Sequence, residues 1–465
     1  MTKRNGHLSL GAFLYPTGHH IAAWRHPDTP ADFGVNFKHY AAAAQAAEAA
    51  KFDLIFLADG VGTRGEDVEY LSRTAHSYQS QFEPITLLSA LSSVTERIGL
   101  VTTASTSFNE PYHVARKFAS LDHLSGGRAG WNLVTSSSAY EALNFNRDHH
   151  LAHADRYGRA AEFADLVSAL WDSWEDDAFT RDKAGGRFYD PAKRHVAHHK
   201  GAHFSVRGPL NVPRSPQGHP VVVQAGSSDA GIELAARTAE AVFTAQQTLE
   251  DAVAFYADLK GRLAKYGREA DDLKILPGVF PVVGRTEAEA REKFEQLQSL
   301  IDPVVGLALV STLTGGFDLS GYPLDGPIPP LPETNASKSR QQLMIDLARR
   351  ENLTIRQLYQ RVAGARGHWQ LVGTPTQIAD QLEERWQHFG ADGYNIMAPV
   401  LPGGLTDFIE LVLPELRRRG LFRSEYSGHT LRDHLGLKRP AHRVHEHKSI
   451  SSPAPAREFA SPLTI

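Results

Sequence analysis

The chain has 465 residues, 42% of them hydrophobic, enough for a large core and, by length alone, for two or three domains. Its 49 basic and 53 acidic side chains leave a net charge of -4, with no dense basic run in the part that patterns as ordered, which argues against nucleic acid as a partner. Cysteine does not occur, so disulfides, thiolate nucleophiles, iron–sulfur clusters and cysteine-bound zinc are excluded. The opening residues lack an apolar run of signal-peptide quality, and no stretch approaches the length of a membrane span. The expectation is a cytoplasmic protein that does not enter a membrane.

In chain order, eight short segments read as strands: Leu8–Tyr15, Asp53–Asp59, Ile98–Ser105, Ala129–Ser136, Pro220–Ala225, Ala241–Thr244, Ile275–Val283 and Tyr394–Pro399. Each is rich in β-branched or aromatic residues and bounded by Gly, Pro, Asp or Ser, the pattern of buried parallel strands. Amphipathic segments lie between most of them. The clearest follows the fourth strand, where Tyr157, Ala160, Ala164, Val167, Trp171 and Trp174 recur at steps of three and four. Alternating strands and helices imply a parallel sheet, and eight strands favour a closed (β/α)8 TIM barrel. Such a barrel needs about 250 residues. The surplus falls in insertions after the fourth helix (175–219) and after the seventh strand (296–370), and in a polar tail or oligomer arm (436–465). One elaborated domain over 1–435 accounts for the length.

In such a barrel, function belongs at the carboxyl ends of the strands. Asp59 ends an otherwise apolar strand, where it is either a site carboxylate or a turn cap. Thr102, Thr103 and Ser105 end the third strand, a position where threonine is ordinary. Asn132 is an amide among Trp131, Leu133 and Val134, and a buried amide needs partners from the protein or from a ligand. His153 and Tyr157 open the fourth helix on one face, four residues apart. After the fifth strand, Gly226-Ser227-Ser228-Asp229 leads into a helix, and its hydroxyls and free N–H groups make an anion site or a simple cap. His195, His198, His199 and His203 form no known ligand pattern, so no metal site is assigned. No Gly-x-Gly-x-x-Gly follows a strand and there is no P-loop.

Gly130-Trp131-Asn132-Leu133-Val134-Thr135-Ser136 resembles the signature of the bacterial-luciferase-like flavin monooxygenases, in the branch of nitrilotriacetate, dibenzothiophene-sulfone and long-chain alkane monooxygenases. Phe56-Leu57-Ala58-Asp59, Asn109-Glu110-Pro111-Tyr112, Leu121-Asp122-His123-Leu124-Ser125, Gln224-Ala225-Gly226-Ser227-Ser228 and Leu371-Val372-Gly373-Thr374-Pro375 agree in order and spacing. The resemblance implies a two-component enzyme: a separate NAD(P)H-dependent flavin reductase supplies FMNH2, O2 adds at flavin C4a, and one oxygen atom passes from the hydroperoxide to a small organic substrate. It implies flavin contacts at Asp59, Thr103, His153, Tyr157, Ser228 and the adjacent Ser227, with Asn132 facing the ring or the oxygen site. It places His20, in the loop after the first strand, as a group that positions substrate or shuttles a proton. It further implies a homodimer or homotetramer, with 296–370 as a lid and 175–219 as a second wall. A deazaflavin-dependent hydride-transfer enzyme of the same superfamily, a metal-dependent barrel hydrolase and a flavin-storage protein remain as alternatives.

Overall fold

The computed structural model describes residues 4–136, 138–226, 228–336 and 338–443. Eight parallel strands close into a barrel: β1 (Ser9–Phe13), β2 (Leu54–Leu57), β3 (Gly99–Ser105), β4 (Ala129–Val134), β5 (Val221–Gln224), β6 (Ala241–Thr244), β7 (Lys274–Val283) and β9 (Gly393–Ile396), with helices outside. All eight segments expected from the sequence are present. Closure comes from β6 pairing with β7 from Ala241↔Lys274 to Thr244↔Pro277, and from β9 pairing with both β7 and β1. A further strand, β8 (Trp369–Gly373), was not expected. It pairs with β7 from Trp369↔Val279 to Gly373↔Val283, on the same edge as β6 and beyond its end.

Local sequence explains the elements. Asn36 caps the Ala-rich helix Phe37–Ala49 by accepting from the Lys38 N–H. Pro111 opens the helix Pro111–Ser125, and Gly126 closes it at φ 68°. In β4 the period of two sends Trp131 outward and Asn132 inward. Trp131 packs against Phe118, Phe163 and Trp171, and its indole N–H donates to the Ala104 carbonyl at 3.0 Å.

The insertion at 175–219 lies on the barrel's flank. Phe204 packs on Phe163, His199 pairs with Glu162 at 2.9 Å, and the Pro209 carbonyl accepts from Tyr112. A helix returns the chain to the amino-terminal end of the barrel, so an insertion after it begins far from the mouth. The expected second wall is therefore a buttress of the helix His153–Trp171. The insertion at 296–370 carries the helices Pro303–Leu313, Lys338–Arg350 and Ile355–Val362, and its packing reaches Ile21 in the loop after β1. Of the tail, residues 444–465 lie outside the described residues, while Arg439 pairs with Asp176 at 2.6 Å. No single helix among the described residues is long and apolar enough to cross a membrane.

The short helix Leu431–Leu435 plugs the amino-terminal end of the barrel, with Leu431 packed among Leu54, Val101 and Val221. Leu431→Ala should cost about 2–5 kcal/mol, because a closed barrel end has little room to collapse onto the cavity. Chemical denaturation checks this; a loss well below 1 kcal/mol would show that the plug is dispensable.

Candidate active site

The residues singled out on β2 to β5 gather at one rim, in three contacting groups. Asn132 donates its amide N–H to Thr103 Oγ1 at 2.8 Å, and Thr103 in turn donates to the Leu57 carbonyl at 3.3 Å. The amide oxygen of Asn132 is buried and finds no partner among the described residues. An acceptor left so is costly, and at a barrel mouth it is an invitation to a ligand donor.

The second group is a pair of hydroxyls at a helix start. Ser228 caps the helix Asp229–Thr238, its hydroxyl accepting from the Gly231 N–H at 3.2 Å. Tyr157 reaches the same hydroxyl at 3.2 Å, and its ring lies 4.8 Å from that of His153. A Cβ on Gly231 would come within 3.1 Å of both hydroxyl oxygens, so glycine keeps the space beside them open. Ser228 is thus the expected cap, and of the two touching hydroxyls one donates to the other and leaves a single O–H to point elsewhere. Burial, and next the charge of Arg156, lower the pKa of His153. Ser227 lies outside the described residues.

The third group surrounds Asp59. Burial raises its pKa to about 6, Glu83 and Glu141 adding to the shift while the Gly60 N–H and Arg64 oppose it. Nearby, Ser136 takes a left-handed φ of 48° and shares a 2.7 Å hydrogen bond with Ser105. Its carbonyl accepts from the buried Arg156 at 2.6 Å, and Arg156 also donates to the Asn335 carbonyl of the insertion. The insertion is thereby tied to the rim.

His20 sits apart, on the β1 side. Its Nδ1 accepts from the Ala22 N–H at 3.2 Å, so Nε2 carries the proton; that donor is buried and unpartnered among the described residues. Burial pushes its pKa down to about 3, leaving a neutral hydrogen-bond donor at neutral pH.

Sequence reasoning missed the groups beside it. His19 donates from Nε2 to the Phe13 carbonyl at 3.0 Å and accepts at Nδ1 from Arg366. His76 bonds the Gly18 carbonyl at 3.2 Å, and His368 bonds the Thr244 carbonyl at 3.2 Å while stacking on Phe243. All three histidines are held neutral, first by burial and next by arginine charge. Gly278 makes room for His368, since a Cβ there would lie 2.6 Å from the imidazole. The readable signal was Gly364-Ala365-Arg366-Gly367-His368, a polar Gly-rich turn entering a strand, as Gly127-Arg128 enters β4.

The model of the luciferase-like monooxygenase family matches residues 13–393. The chain belongs to that family. It is 53% identical to nitrilotriacetate monooxygenase component A of Aminobacter aminovorans, over 95% of this chain and 98% of that protein. It is 52% identical to N-acetyl-S-(2-succino)cysteine monooxygenase of Bacillus subtilis (strain 168), over 95% and 99%. A riboflavin lyase crystallised with modified FMN and riboflavin superposes with a TM-score of 0.85 at 34% identity, covering 93% of this chain and 97% of that one. This luciferase-like chain is therefore a monooxygenase on a (β/α)8 barrel. The family's cofactor chemistry fits the rim, which offers two hydroxyls at a helix start, an amide oxygen unpaired among the described residues and a half-buried carboxylate, after strands β2 to β5.

Because burial disfavours ionised Asp59, the folded protein holds that proton more tightly than the unfolded chain, whose carboxyl titrates near ~3.9. The associated stability is present in full below about pH 4 and is lost as the pH rises through about 6. Asp59→Asn should therefore raise the thermal midpoint at pH 7.5 and leave it nearly unchanged at pH 4. An equal effect at both values would contradict a desolvated carboxylate.

Proposed function

We propose that this protein is the oxygenase component of a two-component system, taking FMNH2 from a separate NAD(P)H-dependent flavin reductase and transferring one atom of O2 to a small organic substrate. The observation that carries the proposal is the anion cradle of Ser228, Tyr157 and Gly231 on the same rim as the unpaired Asn132 oxygen. The word component in the name of the nitrilotriacetate relative supports a partner, and the FMN in the riboflavin lyase supports the flavin.

Reduced FMN, when bound, supplies the electrons that activate O2. Ser228, Tyr157 and the start of the helix Asp229–Thr238 would hold its phosphate, where hydroxyls and helix N–H groups meet a dianion. Asn132 would accept from a ring N–H, and Thr103 would fix the orientation of that amide by taking its own N–H. Asp59 would accept from the polar part of the flavin. His20 would donate from Nε2 to substrate. The insertion, tied down by Arg156 and Arg366, would exclude water from the reacting oxygen.

Anaerobic titration with photoreduced FMN tests the core of the reading: saturable binding is expected, and its absence would sink the flavin assignment. With a reductase and 18O2, the true substrate should suppress H2O2 release and yield a product one 18O atom heavier. Ser228→Ala with Tyr157→Phe should weaken reduced FMN by roughly tenfold to a hundredfold, the worth of lost charge-assisted hydrogen bonds. Riboflavin, which lacks the phosphate, should bind both proteins alike; an equal loss for both ligands would remove the phosphate from this cradle.

A further inference from the structure

On the β1 side of the mouth, the guanidiniums of Arg366 and Arg340 pair with no carboxylate among the described residues. Arg366 follows the helix Ile355–Val362, takes φ 50°, donates to His19 and lies 4.6 Å over the Tyr15 ring. Arg340, on the helix Lys338–Arg350, donates to the Arg366 carbonyl at 2.8 Å. Both are half-buried. Other arginines of the same insertion are neutralised: Arg356 pairs with Asp325 at 2.8 Å and Arg361 with Glu351 at 3.1 Å. Among the described residues, Arg340 and Arg366 have only neutral partners and one another. Burial, and next the charge of Arg366, pull the pKa of Arg340 down to about 10, the mark of a desolvated cation beside a like charge.

The neutral histidines deepen the asymmetry. His19, His76 and His368 all lie within reach of the Arg366 charge, and none of them offsets it. Two facing cations in a closing mouth are costly unless an anion joins them. The cofactor phosphate is not that anion on the reading above, since its cradle follows β5 while Arg366 sits over Tyr15 and His19, which follow β1. In an eight-stranded barrel those strands stand opposite one another.

We propose that Arg366 and Arg340 bind carboxylates of the substrate, which makes the substrate a small organic di- or tricarboxylate. A planar guanidinium matches a carboxylate in a bidentate pair, and two guanidiniums at one mouth select a molecule that carries at least two such groups. His19 is then a positioning residue, its Nδ1 holding Arg366 in place. The proposal rests on the monooxygenase reading, because it names what that site oxygenates.

The test uses nitrilotriacetate, tricarballylate and 2-(methylthio)succinate beside their methyl esters, measured by calorimetry and thermal shift on the flavin-free and FMN-loaded protein. At least one acid should bind while its ester does not. In Arg366→Gln and in Arg340→Gln that affinity should fall by roughly tenfold to a hundredfold, and Arg366→Lys should recover part of it. With the acid that binds, the loss should appear in KM and not in kcat, while circular dichroism and FMN affinity report a folded protein. Acids that bind no better than esters, or folded glutamine variants that keep wild-type affinity, would overturn the proposal. Wild-type protein that binds the acid but not reduced FMN would instead sink the proposed FMNH2-dependent reading and leave the carboxylate site standing.

Discussion

The pairing of β6 with β7 holds the rest of the molecule in place. Without it the sheet would be open, with two unpaired edges and no common rim. With it, all eight strands point their carboxyl ends at one mouth. β7 is ten residues long because it serves three neighbours. Its first half closes the barrel against β6, its middle pairs with β9, and its last residues rise past the end of β6 to pair with β8. The insertion leaves after β7 and comes back as β8, so both its ends are anchored to one strand. Arg366 and His368, just before β8, fall where β6 stops, and the Thr244 carbonyl receives His368 there.

The mouth so formed is imperfectly satisfied. Thr17, His20 and Asn132 each keep a buried polar atom without a partner among the described residues. Unmet groups of this kind cost about 1–3 kcal/mol each, a cost that the rest of the fold offsets. The same desolvation keeps His19, His76 and His368 neutral, so none of them carries charge beside Arg366. The walls are aromatic: Phe13 meets Phe56 and Phe243 edge to face, and Phe56 and Phe243 lie tilted to one another.

Most of this barrel is legible from sequence because buried parallel strands announce themselves by composition, and Asn132 announces itself by breaking that composition. The β5 turn was legible too, since its Gly-Ser-Ser run reads as a cradle or a cap and turns out to cap with Ser228. β8 was not legible. Trp369, Gln370 and Val372 are only half-buried, so the segment lacks the continuous apolar run of its neighbours. The Arg366–His19 contact joins residues 347 positions apart, and no local period encodes such a distance. The insertion at 175–219 was expected as a second wall and instead lies along the flank, because it begins after a helix that has returned the chain to the far end of the barrel; His195 and His199 pair there with Glu175 and Glu162.

Two arginines fasten the insertion to opposite sides of the mouth. Arg156 links the β4 loop at Ser136 to Asn335, and Arg366 links the insertion to His19 after β1. Both guanidiniums bond to neutral acceptors, so each tether is worth about 1.5–3 kcal/mol, well below a buried ion pair broken on one side. On the proposed reading, tethers of that order would hold a cover closed most of the time and still let it lift for a flavin or a product to pass. An anion on the β1 side would add a charged bridge between Arg366, Arg340 and the bound molecule, so the cover would be held most firmly when the substrate is present. In an oxygenase that timing matters, because water must be excluded only while the activated oxygen is waiting for its acceptor.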